Sequence, residues 1–373
     1  MSQSLFCFYY FPFLISFISL HSRIGSLPTG EGGGRGRGAV VLLLSIPLFL
    51  LLNLAVGSVS IPLDAVFGIL VGGDCDNEVW TNIVLHTRLQ QALTAIACGS
   101  GLAVAGLMLQ TVFHNPLAGP SVLGISSAAS LGVAFLVLMS GIIGWHIVSS
   151  FGFFGNTALT LSAVIGALSA MALIVFLSQR VHGNVTLLIV GVMIGYIASA
   201  IIGVLKYFSS EEDVRAYVVW GLGSFARVTG GQVWVFLGLV LAVLPFGMLL
   251  AKSLNMLLLG EQYATNLGLN ISRARTQIII VAGMLTAIVT AYCGPIMFLG
   301  LAVPHICRGI FRTADHRILL PGTLLCGASL ALICNLIARL PGMEGALPVN
   351  SVTSLIGAPI ALWILLKRKR PTL

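Results

Sequence analysis

The residues of this chain that could do chemistry are few, and their spacing argues against most kinds of it. His114, His305 and His316 stand in separate segments with no i, i+4 pairing, so they lack the one-face geometry of helical metal sites. Local hydrogen bonding is the expected role of each. Of the seven cysteines, Cys7, Cys98, Cys293, Cys307, Cys326 and Cys334 lie in or beside apolar runs and read as small buried hydrophobes; Cys75 sits in a polar loop with no partner nearby in sequence. No Asp or Glu falls in the middle of an apolar run. A proton- or sodium-coupled carrier keeps an ionisable group at membrane depth, at a cost of about 2.5–3.5 kcal/mol. A membrane-embedded enzyme needs clustered His or acidic residues there. Both classes are disfavoured. There is also no GxxxxGK[ST] phosphate loop, so ATP-derived energy has to come from a partner. Nothing calls for a catalytic residue, a cofactor or a metal.

The elements that carry these residues are membrane helices. Of 373 residues, 57% are apolar and 8% charged, with a mean hydropathy of +1.04; a soluble domain carries about 25% charged residues. Membrane lipid must solvate this surface. The net charge of +8 is spread over the ends of apolar runs, which is a topology signal and not a nucleic-acid patch. Runs near the ~20 residues needed to span occupy 39–59, 87–113, 122–141, 158–177, 185–208, 233–250, 276–299, 301–310, 318–338 and 352–366, the eighth being short. The expected fold is an all-α polytopic bundle of about ten transmembrane helices over 39–370. Residues 1–38, an aromatic apolar stretch followed by a Gly/Arg linker, form an appendage outside it.

Alternating ten spans divides the charges. Arg35, Arg37, Arg180, Lys252, Arg273, Arg275, Arg308, Arg312, Arg317 and the basic C-terminus fall on one side. Arg88, Lys206, Arg215, Arg227 and Arg339 fall on the other, with Asp64, Asp74, Asp76, Glu78, Glu211, Glu212, Asp213 and Glu344. The basic side is the cytoplasmic one. Gly191, Gly195, Ser199 and Gly203 recur every four residues, as do Ala95, Gly99 and Ala103; such stripes let helices approach closely.

Three segments depart from plain spanning helix. In 110–126, Asn115, Pro116 and Pro120 force a turn. In the cytoplasmic loop 252–275, the residues 261–267 make a short helical pattern closed by Gly268, a docking element for another protein. In 294–305, Gly294-Pro295 ends one span and Pro304-His305 sits in the next short one. Its Gly-Pro…Leu-Gly pattern echoes Gly119-Pro120…Leu123-Gly124, and alternation places the two echoes on opposite membrane faces, as in an inverted repeat.

Taken together, Arg88-Leu89, Gly106…Gln110…Phe113-His114-Asn115-Pro116-Leu117-Ala118, Leu123-Gly124-Ile125-Ser126, Gly260-Glu261…Ala264…Leu267-Gly268, Gly294-Pro295…Phe298-Leu299-Gly300-Leu301…Pro304-His305…Arg308, Asp315-His316 and Gly357-Ala358-Pro359 resemble the FecCD family of ABC importer permeases. That family includes vitamin B12, haem and ferric-siderophore permeases. The resemblance implies a type II ABC importer permease bundle in the bacterial inner membrane, paired with a second permease subunit, most simply as a homodimer. It implies that cytoplasmic ABC ATPase subunits engage Gly260, Glu261, Ala264, Leu267 and Gly268. It also implies a periplasmic substrate-binding protein docking on Arg88 and Arg339. The family often carries a second arginine where this chain has Gln91. The implied cargo is an iron chelate, a ferric siderophore, with cobalamin or haem as alternatives.

Overall fold

The computed structural model describes residues 31–57, 59, 61–71, 77–143, 153–180, 184–339 and 346–367. The apolar stretch 5–20, Cys7, Asp74, Cys75, Asp76, Glu344, Arg368, Lys369 and Arg370 lie outside them. Among the described residues all regular structure is helical: α1 (Glu31–Ala55), α2 (Leu63–Val71), α3 (Glu78–Val112), α4 (Ile125–Ile143), α5 (Phe153–Arg180), α6 (Asn184–Phe208), α7 (Glu211–Gly221), α8 (Gly231–Leu249), α9 (Ala251–Leu258), α10 (Glu261–Asn266), α11 (Ile271–Cys293), α12 (Leu299–Phe311), α13 (His316–Ala338) and α14 (Val349–Lys367).

Each of the ten apolar runs is helical. Seven helices (α1, α3, α5, α6, α8, α11 and α13) are long and apolar enough to cross a membrane, and α4, α12 and α14 contain shorter apolar stretches. Two boundaries differ from the sequence reading. The Gly/Arg segment expected as linker is helical from Glu31 onward, continuous with α1. The run 276–299 is cut at Cys293, because Gly294 takes φ +81° and Pro295 follows; Leu299 opens α12 instead. At 13 residues, α12 is about 20 Å long, too short to cross a ~30 Å core alone.

The bundle is built around α3, which is buried along nearly its whole length and packs on α13, α11, α12, α8 and α1. Small residues make this possible. A Cβ on Gly99 would overlap the carbonyl oxygen of Gly327 on α13, with Ala331 beside it, and Ala103 lies against Gly327. The stripe of Ala95, Gly99 and Ala103 is thus a backbone-to-backbone seam. Polar side chains close a second seam between α1 and α13. Ser45 and Ser329 share a 2.8 Å hydrogen bond, and Asn53 donates to Leu332 O at 3.0 Å while accepting from Asn335 at 2.8 Å. Helices α4, α5 and α6 form an outer layer, with α4 and α5 crossing at Gly132 and Gly166.

Helix α13 runs antiparallel to α3, placing His316 beside Thr111 at one end and Arg339 near Arg88 at the other. The Thr111 end carries Arg180, Lys252, Arg273, Arg275, Arg308, Arg312 and Arg317. The Arg88 end carries the acidic first turn of α7, Glu211, Glu212 and Asp213, with Asp64 and Glu78. The charge division read from alternation holds among the described residues, and the basic end is cytoplasmic.

The echoed Gly-Pro motifs leave from opposite ends of the bundle, as alternation predicts, but they do not stay apart. Gly294 packs on Gly223 and Trp220 at the outer end, but the chain then descends, and Gly300 meets both Pro120 and Gly106 inside the bundle. The inner portions of the two motifs touch.

Candidate functional site

The cytoplasmic loop folds into α9, a tight turn, and α10. Gly260 precedes α10 with φ +97°, a conformation open to glycine. At the other end Gly268 takes φ +84°; its N–H donates to Thr265 O at 2.9 Å, and the Leu269 N–H donates to Ala264 O at 3.0 Å. This pair of bonds is the Schellman termination that the sequence pattern called for. Within α10 only Ala264 is buried, at 0% exposure, whereas Tyr263 is 69% and Leu267 58% exposed. The helix stands on one methyl group and turns its other side chains outward. Glu261 Oε1 accepts from Arg275 Nη2 of α11 at 2.6 Å.

Behind α10 lies a polar network that joins three elements, α9, α13 and α3. Asn255 of α9 donates to Asp315 at 2.6 Å, and its Oδ1 faces both the backbone N–H and Nδ1 of His316 at 2.8 Å. The His316 Nε2 lies 2.7 Å from the Thr111 hydroxyl on α3, which itself donates to Leu107 O at 2.9 Å. Asp315 caps α13 by accepting from the Arg317 N–H at 2.9 Å; that bond and the Asn255 amide hold its carboxyl below the ordinary value.

The two motif loops meet here as well. The turn at Asn115-Pro116 is shaped by Asn115 Oδ1 accepting from Leu117 N at 2.9 Å, and Pro116 O faces His305 Nε2 at 2.8 Å. Arg308 donates to Gln110 at 2.7 Å, and Gln110 donates to Leu301 O at 3.1 Å. His114, at φ +50°, reaches Leu257 O at 2.9 Å. All three histidines read as local hydrogen-bonding residues in fact bind neighbouring chain atoms. Pro304 is buried inside α12.

At the outer end the expectation of an exposed Arg88 is corrected. Arg88 is 1% exposed. Its Nη1 donates to Leu54 O at 2.6 Å and Ala55 O at 2.8 Å, and its Nη2 donates to Val59 O. The last carbonyls of α1 have no intrahelical donors, and a cation completes them. Gly57 leaves the room, since a Cβ there would approach Nη2 to 3.0 Å. Arg339 is half-buried just past α13, and its Nη1 has no hydrogen-bond partner among the described residues. Burial, and then the neighbouring Arg88 charge, lower its pKa to about 10. Arg227 is likewise lowered to about 10 by burial; it donates to Trp220 O at 3.3 Å and lies over the Trp220 ring at 5.6 Å.

The stripe on α6 splits. Gly191 packs on the backbone of Val122 and Leu123, and Gly195 touches Ser127. Ser199 and Gly203 are exposed, and nothing within 4 Å faces Gly203. Half of the stripe serves packing within the chain and half faces out.

Sequence reasoning missed Asn255, Thr111 and the pairing role of Arg275. Asn255 and Thr111 do not stand out in sequence, because each has polar neighbours, Ser253 and Gln110. Arg275 carried only its topological meaning.

A basic-ended bundle with seven helices long and apolar enough to cross a membrane is the form of a multi-pass membrane protein. The FecCD transport family matches residues 43–367, and the chain belongs to that family of ABC importer permeases, multi-pass proteins of the inner membrane. It is 35% identical over 330 residues to the hemin transport system permease HmuU of Yersinia pestis, covering 88% of this chain and 96% of the relative. It is 36% identical over 287 residues to the vitamin B12 import permease BtuC of Escherichia coli O9:H4, covering 77% and 84%. Among solved structures, an inward-facing metal-chelate type ABC transporter superposes with a TM-score of 0.75 at 28% identity, covering 88% of this chain and 98% of that one.

Proposed function

We propose that this permease imports an iron chelate, a ferric siderophore, as one of two identical subunits around a central pathway. Cytoplasmic ATPase subunits bind α10 and hydrolyse the ATP; the permease itself is not an enzyme. A periplasmic substrate-binding protein docks on the outer rim at Arg339. Arg88, tied down by α1, supports that rim from within. The observation that carries this reading is α10 itself: six residues, one buried side chain, and exposed Tyr263 and Leu267 beside a basic rim.

The docking helix supplies a surface for a partner to push on. The packed bundle supplies the element that switches between outward and inward arrangements as ATP closes the ATPase dimer. Gly191 and Gly195 pack within the chain, and the exposed Ser199 and Gly203 on the same helix support a position for α6 along the pathway. Metal-chelate, hemin and vitamin B12 systems all occur among the relatives, so cargo is the finer part of the proposal.

The test is uptake into proteoliposomes holding the permease, its ATPase subunits and the binding protein, offered a ferric trihydroxamate, haem or cobalamin in parallel. ATP-dependent uptake of the ferric chelate is expected. Preferential uptake of haem or cobalamin would replace the cargo but keep the class. Uptake without ATPase subunits, driven by an ion gradient, would overturn the class.

A further inference from the structure

We propose that Arg275 is a positioning residue that makes α10 and α11 move as one body, so that α11 is the lever through which the ATPases act on the core. This rests on the reading of α10 as the ATPase docking helix. The Glu261–Arg275 pair, at 2.6 Å, is the only salt bridge among the described residues. Its two halves are unlike. Arg275 is 8% exposed and belongs to the first turns of α11, whereas the Glu261 side chain is 45% exposed and opens α10. A buried cation on the bundle therefore holds an accessible anion on the docking helix.

Apart from the Glu261 contact, α10 buries little. Its only buried side chain is Ala264, and glycines with positive φ bound it at Gly260 and Gly268. Neither Gly260 nor Gly268 has an atom within 4 Å of where a Cβ would stand. A six-residue helix between two such joints would swivel when pushed. The ion pair spans the Gly268 joint, from the first residue of α10 to α11.

The body it is fixed to is suited to pass motion inward. Helix α11 packs on α3, α5 and α8. Val289 and Leu285 of α11 lie against Gly101 on α3, and Ile125 and Met171 converge on its Gly283. A tilt of α11 thus displaces the central helix directly. The other side of the loop, α9, is held separately by Asn255 and His114.

The competing role for Glu261 is direct contact with an ATPase residue, with Arg275 as a bystander. Charge exchange separates the two. In proteoliposomes of the full complex supplied with a ferric trihydroxamate on its binding protein, E261Q and R275Q should each cut uptake per ATP hydrolysed about tenfold, with the complex still assembled. The double variant E261R/R275E should recover to within about threefold of wild type. A wild-type ratio in R275Q, or a double variant no better than the singles, would overturn the proposal. A second measurement does not depend on the functional reading. In the full-length permease alone, hydrogen exchange over 261–269 should quicken several-fold in R275Q and return in the double variant; unchanged exchange in R275Q would also overturn it. Failure of wild-type uptake with a positive exchange result would refute the transport reading and leave the clamp standing.

Discussion

Gly106 on α3 and Gly300 on α12 meet backbone to backbone, and a methyl group on Gly106 would overlap the Gly300 carbonyl oxygen. No side chain can yield there, so relief requires two helices to part. Gly106→Ala is expected to destabilise the permease by at least about 1–3 kcal/mol, the usual cost of overpacking, read as a lower thermal midpoint in detergent.

Gly203 provides the contrast. Nothing within 4 Å meets a Cβ placed there, and alanine is the better helix former by about 0.5–1 kcal/mol. Gly203→Ala should leave the thermal midpoint of the permease unchanged or raised while reducing ATP-driven uptake several-fold. Undiminished uptake would remove Gly203 from the pathway.

The two outer arginines should part company under mutation. Arg88→Gln leaves the terminal carbonyls of α1 without their cation, costing about 1–3 kcal/mol, so it should lower the melting temperature. Arg339→Glu exchanges a repulsive neighbour of Arg88 for an attractive one, so the fold should hold. Stimulation of ATP hydrolysis by the binding protein should nevertheless fall at least tenfold. Normal stimulation would exclude Arg339 from the docking rim.

Ala264→Pro removes the 3.0 Å bond from Ala264 N–H to Gly260 O and breaks α10 at its buried residue. Proline in a helix interior costs about 3 kcal/mol, but α10 projects from the bundle, so the loss stays local. ATP-driven uptake should vanish while the thermal midpoint moves little. Retained uptake would take α10 out of the mechanism.

Asp315 gives a pH signature. Its carboxyl is held below the ordinary value by the Arg317 N–H and the Asn255 amide. A depressed folded pKa contributes stability that is present above the unfolded value, near 3.9, and is lost as pH falls through the lower folded value. Asp315→Asn retains a capping side chain but removes that ionisation. Its thermal midpoint should therefore fall less steeply than the wild type's below about pH 4. Parallel curves would show that Asp315 contributes nothing to the acid limb.

Much of this was legible in the residues because lipid imposes simple rules. Apolar length placed the helices, and basic residues ordered their ends. Gly260 and Gly268 announced the short helix α10 because such a helix needs those conformations at its joints. Arg88 was placed at the correct end but with the wrong exposure. Charge at a helix end suggests surface; nothing local reveals that the carbonyls of a helix more than 30 residues earlier will claim the guanidinium. The meeting of Pro120 with Gly300 was hidden for the same reason, since alternation reports which side a loop leaves from but not how far it dips. Asn255 was overlooked because one polar residue gains meaning only from the His316 and Thr111 that tertiary packing brings to it.

The turn Ile83–Arg88 within α3 is a π-helix, and it has a bearing on how relatives can diverge. A π turn accommodates an additional residue within an otherwise regular helix. Deleting one residue between 83 and 88 would let the segment relax to α-helix and leave Glu78–Asn82 facing nearly as it does now, because six residues at π spacing turn through about the same angle as five at α spacing. Arg88, at the boundary, would keep its place on the carbonyls of α1. The outer rim can therefore absorb the loss of a single codon here without being re-aimed, with the Gly99 and Gly106 seams left in register.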